Sequence, residues 1–128
     1  MKVHTIIFLT LFTAFAVLHY VFLGQDQYYH WSWLDNVMHF AGGAIIVFGL
    51  YTLRDIRLFP GRYLRVVPIV SIVFAIAVAW EIFGYLALQS YDRPDYALDT
   101  TLDITFGVVG GLCGVMLARV MEWYNRQI

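Results

Sequence analysis

The 128-residue sequence predicts an all-α integral membrane protein, a single four-helix bundle crossing the bilayer. Three observations carry this reading. Hydrophobic residues make up 61% of the chain and charged residues only 13%, and the apolar residues fall in long runs, unlike those of a soluble domain. Four runs, at 5–23, 34–53, 66–88 and 102–121, reach the roughly 20 residues needed to cross the hydrocarbon core. The basic residues are segregated to one side of these runs. Each run must be helical, because lipid offers no partner to an unpaired backbone N–H or C=O. The connecting segments, 24–33, 54–65 and 89–101, are short, so consecutive helices are expected to be antiparallel neighbours in one domain.

The first run follows Lys2 and contains Ala14-Phe15-Ala16, a cleavage-like triplet that suggests a signal peptide. The apolar stretch continues past it through Val17, Leu18, Val21 and Leu23, so it is read as a retained span. The second run opens with "WLDNVMHFAGG" at 33–43, which sets Asp35 and His39 one turn apart at the start of a membrane helix. The third carries a lone acid, Glu81. The fourth follows Asp99, contains Asp103 and continues into "FGVVGGLCG" at 106–114, which lacks the strand and the lysine of a phosphate loop. The single cysteine, Cys113, excludes an internal disulfide and a structural zinc–thiolate site.

Lys2, Arg54, Arg57, Arg62, Arg65, Arg119 and Arg126 fall on one side of the predicted spans and only Arg93 on the other. The positive-inside rule then places both termini in the cytoplasm of a multi-pass protein of the inner (plasma) membrane. Arg54, Arg57, Arg62 and Arg65 are expected to rest on anionic lipid headgroups, each contributing about 1 kcal/mol near the surface. The opposite side carries Tyr28, Tyr29, Trp31, Trp33, Tyr91 and Tyr96, an interfacial aromatic belt, together with Asp26, Asp35, Asp92, Asp95, Asp99 and Asp103. No nucleic-acid partner is expected.

The ionisable residues share a depth and a face. Asp35 and His39 are i and i+4 on the second helix, with Gly42, Ile46 and Gly49 continuing their stripe. Asp99 and Asp103 are i and i+4 on the fourth, followed by Gly107, Gly110 and Gly114, with Gly111 beside them. Small residues mark close helix approach in membranes, so the polar groups should point into the bundle. Glu81 lies seven residues before the outer end of the third span, about 10 Å deep, while His39 and Asp103 are about 6 Å deep. Tyr85, one turn outward, is placed to donate to Glu81.

Bland readings exist for each residue taken singly. Ser32-x-x-Asp35 and Thr100-x-x-Asp103 resemble capping boxes, and Asp99 suits a helix start. His39 fits a hydrogen-bonded core histidine equally well. His19 is expected at the membrane interface, and His4 and His30 at interfacial or exposed positions without a role. Glu81 is too deep to cap a helix, and a charged carboxylate there costs about 2.5–3.5 kcal/mol on insertion scales.

The order D-x3-H-F on the second span, a lone Glu on the third and D-x3-D-x3-G opening the fourth resembles the VanZ-like proteins over roughly residues 33–115. The resemblance implies key positions at Asp35, His39, Glu81, Asp99, Asp103 and Gly107, and a link to glycopeptide-antibiotic resistance. Asn36, Gly84 and Asp103 depart from residues common in that family and mark a related branch.

Three functions are compatible with these features. The first is an outward-facing intramembrane site for a divalent cation (zinc, manganese, magnesium or iron). Asp35, His39, Glu81 and Asp103 are its expected metal ligands or their supports. Asp99 and Glu81 are the candidate catalytic groups, for a metal-activated water acting on a lipid or cell-envelope precursor. The Glu-x-x-His pairs of di-iron bundles are absent, which argues against oxygen chemistry. The second is a cation- or proton-binding or permeation module, which in so small a bundle predicts a homo-oligomer. The third is a membrane scaffold in which the cluster is only interhelical glue.

Overall fold

A computed structural model describes residues 3–25, 31–87 and 95–127. Among these residues are four helices: α1 (Val3–Gly24), α2 (Ser32–Asp55), α3 (Val66–Ala87) and α4 (Tyr96–Asn125). A single 3₁₀ turn, Gly61–Tyr63, lies between α2 and α3. All four helices are long and apolar enough to cross a membrane, and no strand occurs among the described residues. The fold class expected from the sequence is thus observed. Lys2, Asp26, Tyr28, Tyr29, His30, Tyr91, Asp92 and Arg93 lie outside the described residues.

Helices α1, α2 and α4 extend a little beyond their apolar runs, and α3 begins at Val66 as expected. The largest difference is in α4, which begins at Tyr96 rather than 102 and spans 30 residues. Hydropathy alone hides this first turn and a half, because it carries Asp99, Thr100 and Thr101. The helical hydroxyls satisfy themselves locally: Thr101 Oγ1 donates to the Ala97 carbonyl and Thr105 Oγ1 to the Thr101 carbonyl, each at 2.7 Å. The C-terminus of α2 closes with Arg57 in the left-handed region (φ 65°). The Leu58 N–H donates to Leu53 O and the Arg57 N–H to Arg54 O, so two terminal carbonyls are satisfied before the chain turns.

The helices do not pair simply in chain order. α1 packs on α2 and α3 on α4, but the most extensive contact joins α2 to α4, which run in parallel. Glycines make this contact possible. A Cβ on Gly43 would overlap the Gly107 carbonyl oxygen, and one on Gly110 would overlap the Phe40 carbonyl oxygen. The closest approach therefore uses Gly43, whereas Gly42 and Gly49 of the predicted stripe face Phe15 and Phe8 of α1.

The apolar core lies toward the end of the bundle that carries the α2–α3 linker. Val47, Phe48 and Tyr51 of α2 meet Ile69 and Val73 of α3, Val115 and Ala118 of α4, and Leu64 of the linker. The other half of the bundle is less filled, and the predicted site stands there.

Candidate functional site

Four helices shape this half. α2 presents Asp35 and His39 one turn apart, α4 presents Asp103, and α3 presents Glu81. His39 Nε2 is their common neighbour, lying 3.6 Å from Asp35 Oδ1, 3.7 Å from Glu81 Oε1 and 3.7 Å from Asp103 Oδ2. One ligand atom each from Asp35, His39 and Asp103 falls within 4.8 Å of the others. The Asp103 side chain is buried, and those of His39 and Glu81 are largely so. Glu81 thus faces the bundle interior. Asp99 is close enough to act electrostatically on both His39 and Glu81.

The capping readings do not describe these acids. The N-cap of α2 is Trp31 and that of α4 is Asp95, neither with a side-chain capping bond. Asp99 lies inside the first turn of α4, and Asp103 lies a full turn deeper and is buried.

Two neighbours were not expected from the sequence. Thr100 Oγ1 donates to Glu81 Oε2 at 3.2 Å, whereas the Tyr85 ring lies against Tyr96. Thr100 stands three residues before Asp103, on the same helix face, and that spacing was the available signal. His19, expected at the interface, lines a cavity beside the cluster, with its ring edge-on to Trp80 at 5.8 Å between centroids. This cavity has a volume of about 320 Å³ and runs from Asp35 and His39 toward Ile46 and Val73. Phe12 and Phe15 form one wall and Ile76 and Trp80 the other.

The opposite end of the bundle holds a second polar group of residues. His4, expected to be interfacial or exposed, is buried at 4% exposure. Its Nδ1 lies 3.5 Å from Asp55 Oδ2, and its ring packs on Tyr51 at 5.1 Å. Arg54 pairs with Asp55 at 2.8 Å and also with Glu122 of α4, and its guanidinium lies over the Tyr51 ring. Arg54 is therefore committed inside the protein rather than held out toward headgroups as expected. The signal missed was acidic: Asp55 and Glu122 are the two carboxylates on an otherwise basic side.

The fold and the cluster together define a multi-pass helical membrane protein with carboxylates and imidazoles gathered between its helices. Residues 3–123 match the family described as predicted membrane protein (DUF2238), and the chain belongs to that family. No curated protein and no solved structure matches the chain.

Proposed function

We propose that this DUF2238 protein binds a divalent cation at His39, Asp35, Glu81 and Asp103 and uses it on a lipid or cell-envelope precursor. One observation carries the reading: a single imidazole nitrogen is faced by carboxylate oxygens from three helices, all at 3.6–3.7 Å. That spacing exceeds a hydrogen bond, which for N–H···O falls at 2.7–3.2 Å. It approaches the separation of two ligands on one ion, about 3.3 Å for bonds of about 2.0 Å at a tetrahedral angle. The donors are oxygen and imidazole nitrogen, which suits zinc, manganese, magnesium or iron. A cation there would activate a water, and Asp99 and Glu81 are the carboxylates available to accept its proton. Thr100 orients Glu81.

The motif order shared with VanZ-like proteins supports the same residues and an envelope role. The distribution of arginines supports cytoplasmic termini in the inner membrane, with Arg57, Arg62 and Arg65 on anionic headgroups. The test is metal analysis of protein purified without added chelator, beside Glu81→Gln and His39→Ala. Stoichiometric metal in the wild type, lost in both variants, is expected. No metal in any preparation, with stability falling in both variants, would leave the cluster as interhelical glue and overturn the proposal.

A further inference from the structure

The cavity beside His39 is built for something other than a cation. Its walls are almost wholly apolar, and its polar groups (His19, Asp35 and His39) gather at one end. Along α2 it extends from Asp35 to Ile46, eleven residues or about 16 Å of helix rise. It lies over α2, between α1 and α3, and these two flanking helices pack chiefly on α2 and α4 rather than on each other. The cavity consequently opens sideways between Phe12 and Phe15 on one helix and Ile76 and Trp80 on the other. In a spanning bundle the medium at that depth is hydrocarbon. A slot with an apolar body, a polar end and a lateral mouth matches one kind of molecule, an amphiphile entering from the bilayer.

Charge selects its head. Asp35, Glu81, Asp99 and Asp103 supply four carboxylates around two imidazoles. No Lys or Arg is among the described residues lining the cavity, so nothing there would balance an anionic head. Like charge in a low-dielectric site repels strongly, so an anionic headgroup is disfavoured there. We infer that the slot between α1 and α3 receives the hydrocarbon tail of a membrane amphiphile whose head, a hydroxyl or an ammonium group, sits at the His39 cluster. This inference rests on the proposed function only in assigning the head to that cluster; the tail site stands on the cavity itself.

The experiment uses the full chain in phosphatidylcholine nanodiscs with three photoreactive probes. Each carries a diazirine midway along a long alkyl tail, ending in a primary alcohol, an amine or a carboxylate. The alcohol and amine are expected to label Phe15, Ile45 and Ile46, the less exposed lining residues, about tenfold more than the lipid-facing Leu11 and Leu18, a ratio worth about 1.4 kcal/mol. Gly42→Leu should abolish that preference. A Cβ at Gly42 sits in ordinary contact with Phe15, 3.7 Å from its Cζ, and the rest of the side chain fills the slot. Ile76→Trp fills the slot from the opposite wall and serves where Gly42→Leu does not fold.

Equal labelling of cavity and lipid-facing residues would overturn the inference, as would labelling that survives both filling variants. Strongest labelling by the carboxylate probe would overturn the assigned head. Glu81→Gln separates this inference from the metal reading: tail labelling is expected to persist while metal is lost. Cavity labelling in a wild type that holds no metal would sink the metal reading and leave the tail site standing.

Discussion

The two ends of the bundle both bury charge between helices, and they do so in opposite ways. Toward the linker, the buried carboxylates have partners: Asp55 lies beside His4 and Arg54, and Glu122 pairs with Arg54, around the Tyr51 ring and beside the packed core. At the other end, carboxylates outnumber imidazoles and a cavity replaces the core. Breaking a buried pair is costly because it strands the remaining charge. An excess of like charge is costly as it stands. The first arrangement closes a structure, while the second leaves carboxylates in excess beside a cavity. The comparison separates a polar cluster whose groups are matched across helices from one in which carboxylates crowd a single imidazole.

Substitutions can break or sharpen that contrast. The largest effect should come from Gly110→Val, which overlaps the Phe40 carbonyl and forces α2 from α4 along both ends. A loss of roughly 3 kcal/mol or more, at the top of the overpacking range, should appear as little monodisperse protein on size-exclusion chromatography. Asp55→Ala should cost about 2 kcal/mol by leaving the buried His4 without its carboxylate while Arg54 keeps Glu122, read as a lowered unfolding temperature in detergent, with metal content unchanged in the surviving fold. Glu81→Gln should reverse that pattern. Its amide still accepts from Thr100, so stability should move by no more than about 1 kcal/mol. Metal affinity, measured by competition with a chromophoric chelator, should fall about 100-fold with the loss of a charged ligand. Thr100→Val removes only the hydroxyl that orients Glu81, and the smallest effect, about 10-fold in affinity, is expected from it. Equal destabilisation by Asp55→Ala and Glu81→Gln would erase the distinction between the two ends.

The acidic cluster was legible because its members obey helix periodicity. Asp35 and His39 share a face, as do Asp99 and Asp103, and a lone carboxylate at Glu81 has no bland place in a membrane span. The linker-end cluster was obscured by a rule that reads arginine only as topology. Counting Lys and Arg across the predicted spans gives Arg54 a side but not a partner, and a contact between residues 54 and 122 has no local periodicity to betray it. His4 was hidden similarly, since its burial depends on Asp55 and Tyr51, some fifty residues away. The chain order of the helices also misled. Short linkers suggest that neighbours in sequence pack best, yet the glycines of α2 and α4 make the non-consecutive pair the closest. The glycine stripe on α4 pointed to a close approach, but not to which helix would fill it.

That α2–α4 seam has a consequence for how the protein is made. The ribosome delivers α2 well before α4, with all of α3 and both linkers between them. Until α4 emerges, Asp35 and His39 must wait beside a backbone groove at Gly43 that α4 fills. At synthesis rates of about 5–20 residues per second, that interval lasts several seconds. Before α4 is in place, the polar residues of α2 therefore need shelter, from the insertion machinery or from water at the membrane surface. Assembly of the cluster thus waits for α4 rather than following directly on insertion of α2.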